Sequence, residues 1–256
     1  MSSNIRTTSM KQNERRTAFI LAAGLGTRLK ELTSERPKAL VELNKQPLLE
    51  IVIDNLISQG FNHFVINVHH FADKIIDFVK MKKFENVEIE ISDERDFLYN
   101  TGGAIIKALP LFKNSKAVLI HNVDIISDID FQSIYNDFTK SEDAAWLLTQ
   151  NRNNKRKLVF DENDCFVGRM NLENNEYDGD TELSKDYKLL SFSGLHIIKP
   201  EYFLDFELST CYVFDLYKEI AKTKNIRSKF TDSKYWFDLG TQEQLKEASS
   251  WLLYQK

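Results

Sequence analysis

A short apolar run, Thr17 to Ala23, stops against Gly24-Leu25-Gly26-Thr27-Arg28, and it constrains this chain more than any other feature. A run so short and so uniformly apolar reads as a strand buried on both faces, the kind found in parallel sheets. The pattern then repeats, with helices between. Pro47 to Gln59 carries Leu48, Ile51, Val52, Asn55 and Leu56 at helical spacing and ends against Gly60. His63 to His69 reads as a second strand, Phe71 to Lys82 as a second helix, and Val87 to Ser92 as a third strand. Gly102 to Phe112 begins as a helix and ends near Pro110, and Lys116 to Val123 is a further buried strand ending at Asp124. Such alternation predicts an α/β fold with a mostly parallel sheet flanked by helices.

After about residue 140 the pattern changes. Asp143 to Thr149, Lys157 to Asp161, Cys165 to Met170 and Ser191 to Ile198 read as strands with few helices between, which predicts an antiparallel insertion. Asn171 to Lys185 is polar and acidic and reads as a surface loop. Asp128 and Asp130 read as a turn and an N-cap before a helix from Phe131. A helix over Val213 to Lys222, a strand through Tyr235 to Leu239 and a helix from Thr241 follow. In that last helix Leu245, Ala248, Trp251 and Leu252 share a face. With no internal repeat and no linker, the expectation is one domain over residues 17–256 behind a disordered tail, 1–16. The tail lacks the apolar core of a secretory signal.

Composition removes several function classes. A net charge of −4 gives no basic footprint for nucleic acid. No apolar run approaches the ~18 to 20 residues of a membrane helix. Cys165 and Cys211 form no CxxC pair and read as reduced thiols of a cytoplasmic protein, rather than as a disulfide. The five histidines show no zinc spacing.

The glycine-rich turn suits a phosphate, because glycines let the backbone approach closely and exposed amides can cradle oxygens. A dinucleotide fingerprint would need glycine where Leu29 stands, and a P-loop would need Gly-Lys-Ser/Thr. Here the turn ends in Arg28, whose planar guanidinium binds phosphate in bidentate fashion. Pro37-Lys38-Ala39-Leu40-Val41 follows shortly after, placing a cation on a backbone pinned by proline. Alone, the turn is an ordinary strand-to-helix connection and Lys38 a surface lysine. Together they are specific. Two aspartates, Asp124 and Asp238, each end an apolar strand, where ligands of open α/β sheets bind. Each by itself would more often be a turn or cap residue.

LAAGLGTR followed by PKALV resembles the signature of the sugar-1-phosphate nucleotidylyltransferases, and the likeness extends from Thr17 to the last helix. The resemblance implies a Rossmann-like fold of the nucleotide-diphospho-sugar transferase type. It also implies transfer of a nucleotidyl group from a nucleoside triphosphate to a sugar 1-phosphate, with pyrophosphate released. Carried over, nucleotide binding falls on Leu21, Ala23, Gly24, Gly26, Thr27 and Arg28, with Arg28 steadying pyrophosphate and Lys38 touching the reacting phosphates. Asp124 and Asp238 become the ligands of Mg²⁺, a hard cation suited to carboxylates. Asn122-Val123-Asp124 stands where many relatives have Asn-Gly-Asp.

Within that family, Thr101 to Pro110, Phe192-Ser193-Gly194 and Trp236 to Ala248 look like the bacterial N-acetylmuramate-1-phosphate uridylyltransferases of cell wall recycling. That likeness places Glu94, Thr101, Gly102 and Gly103 beside the base and Ser193 and Gly194 near the sugar. Mannose- and heptose-1-phosphate guanylyltransferases carry similar turns, and a carboxylate such as Glu94 suits guanine. The E-K-P segment of the glucose-phosphate branch is absent. The basic run Arg152 to Lys157 reads as a solvated turn that could otherwise reach a sugar phosphate. Rival readings are a non-catalytic regulatory subunit, disfavoured because Arg28, Lys38, Asp124 and Asp238 are all kept, and an alcohol-phosphate cytidylyltransferase.

Overall fold

The computed structural model describes residues 14–183 and 185–254. The chain runs through β1 (Thr17–Leu21), a short pair β2 (Glu42–Leu43) and β3 (Gln46–Pro47), α1 (Leu48–Ser58), β4 (His63–Val68), α2 (Ala72–Lys82), β5 (Glu88–Asp93), α3 (Asn100–Ala108) and β6 (Val118–Asn122). Next come β7 (Ile125–Ser127), α4 (Phe131–Phe138), β8 (Ala145–Gln150), β9 (Arg156–Phe160), β10 (Phe166–Asn171), β11 (Glu176–Gly179) and β12 (Lys188–Ile198). The last elements are α5 (Val213–Ala221), β13 (Ile226–Phe230), β14 (Trp236–Asp238) and α6 (Gln242–Tyr254).

The central sheet runs β5-β4-β1-β6-β12, and its first four strands are all parallel. β12 lies antiparallel to β6, with β8 on its other edge and β13 parallel to β8. The front of the long β12, Lys188 to Leu190, pairs instead with β9, which leads through β10 to β11. This is the expected antiparallel insertion. β12 can serve both sheets because its register shifts between Phe192 and His196, around Gly194 at φ +82°.

Both faces of the sheet are covered, as the unbroken apolar strands require. Along β1 the side chains alternate: Ala18 and Ile20 pack with Leu49, Val52 and Ile53 of α1 and Phe131 of α4, whereas Phe19 packs with Ile105 of α3 and Leu216 of α5. A third apolar cluster, with Leu29, Leu48, Ile126, Leu239, Leu245 and Ala248, fastens α6 to the segment after the glycine-rich turn. Asp130 caps α4 as expected, its Oδ1 accepting from Ser133 N at 2.8 Å.

Two expectations change. The acidic stretch 171–185 is not all loop, because Glu176–Gly179 pairs with β10 as an edge strand. It has no apolar face, so no periodicity marks it; the pairing is held by backbone bonds and by Arg169 reaching Asp178. Of the predicted tail, residues 1–13 lie outside the described residues, while Arg16 is tied in through Asn62 and Asn136. Among the described residues no helix is long and apolar enough to cross a membrane, and both cysteines are free thiols.

Candidate active site

The parallel register brings the site together. Leu21 lies beside Asn67 and Asn122, and Val68 lies beside Asp93. The residues that follow these strand ends therefore emerge along one edge: Ala22 to Gly24 after β1, Glu94 after β5, and Val123 and Asp124 after β6. They border a cavity of about 340 Å³ whose walls include Leu21, Ala23, Gly24, Gly26, Thr27 and Arg28, together with Lys38, Glu94, Thr101 and Asp124.

The turn is shaped by Gly26. Its φ is +65°, and a Cβ there would sit 2.9 Å from the Thr33 methyl. Its carbonyl accepts from Leu29 N at 2.9 Å and from the Thr33 hydroxyl, starting a 3₁₀ segment over Thr27–Thr33. Leu29 is fully buried and Arg28 beside it is exposed, so burial of the one presents the other. Arg28 lies flat against Gly240, where a Cβ would come within 2.5 Å of its guanidinium. Among the described residues no carboxylate lies within ion-pair distance of Arg28.

Lys38 begins a single 3₁₀ turn held by Leu40 N donating to Pro37 O at 2.9 Å. Its side chain is 10% exposed, and its ammonium donates to Asp124 Oδ2. Asp238 arrives through β14, which pairs antiparallel with β7 so that Asp238 faces Ile125. Leu239 N then donates to Asp124 O at 2.8 Å, locking the two aspartate segments side by side. Asp238 Oδ1 is buried without a hydrogen-bond partner. Burial raises the carboxyl's pKa and the neighbouring Asp124 adds to that, while Lys38, Arg28 and Arg152 oppose it. Two adjacent carboxylates with an orphaned buried oxygen form a hard-donor set that fits Mg²⁺. A second acidic cluster, His63, Glu88 and Glu90, lies at the opposite end of the strands. Its cation is already present, since Arg15 reaches Glu88 at 3.4 Å and Glu90 at 3.2 Å.

Asn67 has no sequence signal, yet it organises the Glu94 side of the cavity. It is buried in β4, and its Oδ1 accepts from Ala22 N at 2.7 Å and Ala23 N at 3.2 Å. Its Nδ2 donates to Glu94 Oε1 at 2.8 Å, and Glu94 Oε2 takes a longer bond from Tyr99 N. Desolvation raises the Glu94 pKa, and the Asn67 bond counters it.

The other predicted positions separate. Thr101 lines the cavity, but Gly102 and Gly103 are buried behind it, and their amides donate to Cys211 O. Both must be glycine for packing, because a Cβ would meet Tyr212 or Ser209 backbone within 2.9 Å. Ser193 is fully buried with its hydroxyl unpartnered, and Gly194 packs on Asn122 and Ile125, so both shape the β12 bend beside the site. The run 152–157 is a solvated turn only in part, with Asn153, Lys155 and Arg156 exposed. Arg152 is half-buried over Trp236, and Lys157 is pinned by Arg152 O and Ser191.

Comparison with known proteins identifies the family. Residues 17–158 match the nucleotidyl transferase family model. The N-acetylmuramate α-1-phosphate uridylyltransferase of Caulobacter vibrioides is 40% identical over 111 residues, 43% of this chain and 46% of that protein. The matched stretch thus spans under half of that relative. The D-glycero-α-D-manno-heptose 1-phosphate guanylyltransferase of Campylobacter jejuni is 29% identical over 88% of this chain and 95% of its own. In fold, the chain is similar to HddC from Yersinia pseudotuberculosis, whose crystal structure is a complex with GMP-PN; the TM-score is 0.73, with 21% identity over 93% of this chain and 99% of that one. With 142 of 256 residues inside the family match, the chain belongs to the nucleotidyl transferase family.

Proposed function

We propose that the protein transfers a uridylyl group from UTP to N-acetylmuramate 1-phosphate, releasing pyrophosphate. The observation that carries the chemistry is the meeting of Lys38, Asp124 and Asp238 at one cavity edge, with Arg28 presented beside them on Gly240. An oxygen of the sugar phosphate attacks the α-phosphorus, the bond from the α-phosphorus to the α,β-bridging oxygen breaks, and that oxygen leaves on pyrophosphate with the electron pair. A phosphate monoester is already anionic near neutral pH, so no general base is required. The obstacle is repulsion between two polyanions, which positioning and fixed cations overcome. Arg28, exposed and without a carboxylate partner, takes the charge that grows on the leaving pyrophosphate. Lys38, held on a rigid turn, offsets charge at the reacting phosphates. Asp124 and Asp238 would hold Mg²⁺, which supplies positive charge to phosphate oxygens when bound.

For the base, Glu94 already accepts from Asn67 and Tyr99 and serves as a strut under the cavity. This supports a pyrimidine read mainly by backbone groups. The likeness to the Caulobacter uridylyltransferase supports the same pair. Guanylyl transfer to a heptose or mannose 1-phosphate is the second reading, favoured by the long match to the Campylobacter enzyme. The test is a matrix of nucleoside triphosphates against sugar 1-phosphates, read by pyrophosphate release. UTP with N-acetylmuramate 1-phosphate should give the highest kcat/KM; a guanylyl preference of about tenfold, 1.4 kcal/mol, would reverse the assignment.

A further inference from the structure

Two buried polar atoms of opposite charge stand unpartnered beside the reaction edge: Asp238 Oδ1 and Arg152 Nε. Arg152 lies in the loop between β8 and β9, and its guanidinium stacks on the Trp236 ring with its carbon 3.7 Å from the centroid. Trp236 and Asp238 are two residues apart on β14, so they face the same side of that strand. The platform is fixed, since Trp236 Nε1 donates to Ser193 O at 3.0 Å and an Arg152 terminal nitrogen donates to Phe192 O. The loop is fixed as well, because Arg152 O accepts from Lys157 Nζ and from the Ser191 hydroxyl at 2.6 and 2.9 Å. Yet no carboxylate among the described residues lies within 4 Å of Arg152, Asp238 included. Each still acts on the other through space: Arg152 is among the cations that oppose the rise in the Asp238 pKa. A half-buried cation held this firmly without an anion is set for one that arrives.

The direction of approach says which anion. The glycine-rich turn, Arg28 and Lys38 border the first cavity from the β1 side, with Lys38 bonded to Asp124. Arg152 lies toward Asp238 from the β8–β9 loop, and its neighbours Asn154 and Lys157 line, with Phe192, a second cavity of about 670 Å³. That cavity shares Thr101 and Tyr212 with the first. In-line displacement needs the attacking oxygen opposite the leaving group, so a cation that approaches Asp238 from a different element than Arg28 suits the nucleophile. We propose that Arg152, stacked on Trp236, binds the phosphate monoester of the acceptor and aims its oxygen at the α-phosphorus. The inference rests on the transfer reaction proposed above, not on the identity of base or sugar.

The experiment compares wild type, Arg152→Gln and Arg152→Lys. Acceptor KM is measured at saturating UTP, UTP KM at saturating acceptor, and affinity for a non-hydrolysable UTP analogue by calorimetry. Tryptophan emission is followed during titration with inorganic phosphate. Loss of a charge-assisted bidentate contact should raise the acceptor KM of Arg152→Gln by roughly 10- to 10²-fold. Analogue affinity should stay within twofold, the phosphate-dependent emission change should vanish, and Arg152→Lys should fall between. An unchanged acceptor KM, or a parallel loss of UTP affinity, overturns the assignment. If Arg152→Gln does not fold by circular dichroism, Arg152→Lys decides alone on the same readouts. Should wild type turn over no pair, the transfer reading fails, and the phosphate titration still judges Arg152: an emission change common to wild type and Arg152→Gln rules the site out.

Discussion

Gly240 gives a direct way to move Arg28 without removing it. Gly240 has no positive φ, so the backbone accepts alanine, but the added Cβ would lie 2.5 Å from Arg28 Nη2 and 2.6 Å from Cζ. Ordinary contact begins at 3.4 Å, so the nearest nitrogen must retreat by 3.4 less 2.5, about 0.9 Å. A displacement of roughly 1 Å in a positioning group can cost about 10²-fold in rate. Complete loss of one such donor costs roughly 10² to 10³, which sets the ceiling. Arg28 is the exposed end of a flexible side chain and can swing aside at a cost under ~0.5 kcal/mol. Gly240→Ala should therefore lose about 10²-fold in kcat while its Tm stays within about 2 °C of the parent. Steady-state pyrophosphate release and a thermal melt measure both. A variant with kcat within twofold of the parent would show that Arg28 does not work from this position. A large fall in Tm would show that the backbone, not the guanidinium, yields.

Asp238→Asn should nearly abolish turnover yet melt higher than the parent in EDTA at neutral pH. The folded-state carboxyl is raised above its ordinary 3.8 by burial and by Asp124, so its ionised form opposes folding once pH exceeds that value. The advantage of asparagine should grow with pH above 3.8, level off beyond the raised value, and disappear in more acidic buffer. Added Mg²⁺ should raise the Tm of the parent and not of the variant, and an equal rise in both would remove Asp238 from the metal site. Asn67→Ala leaves the Ala22 and Ala23 amides and a Glu94 oxygen without their partner, each worth about 1–3 kcal/mol when buried. Denaturant unfolding should show a loss of at least ~2 kcal/mol together with a raised KM for the nucleotide; a neutral change would mean water replaces the side chain.

Much of this arrangement was legible because the signals are local. A strand buried on both faces is mostly apolar, and β1, β4 and β6 are, with Thr17, His63, Asn67 and His121 as buried polar exceptions. The turn after β1 must bend back at a positive φ, which Gly26 supplies. Strand ends on one side of a parallel sheet collect ligand groups, so Asp124 could be located without coordinates, whereas Glu94 was picked out only by the family resemblance. What escaped is held by partners distant along the chain. β7 is three residues long and exists only because β14 pairs with it. β13, Ile-Arg-Ser-Lys-Phe, reads as polar because only Ile226 is fully buried, and it is a strand because β8 offers a parallel edge.

The same distinction explains the two side chains that pattern alone misplaced or missed. Asn67 sits inside HFVINV like any strand residue, and its amide matters only because β1 ends next to it in register. Arg152 belongs to a charged run whose ordinary fate is solvation. Its stacking partner Trp236 is 84 positions away, on a three-residue strand that itself depends on β7. Both are polar groups removed from water, and such groups persist only where the fold supplies, or awaits, a partner of matching chemistry. Asn67 has its partners inside the chain, in the Ala22 and Ala23 amides and Glu94. Arg152 and Asp238 each retain a buried atom without one, at the edge where the proposed reaction would bring phosphate and a divalent cation together. Those two unsatisfied charged atoms lie on the proposed ligand side of the site, and the satisfied Asn67 belongs to its frame.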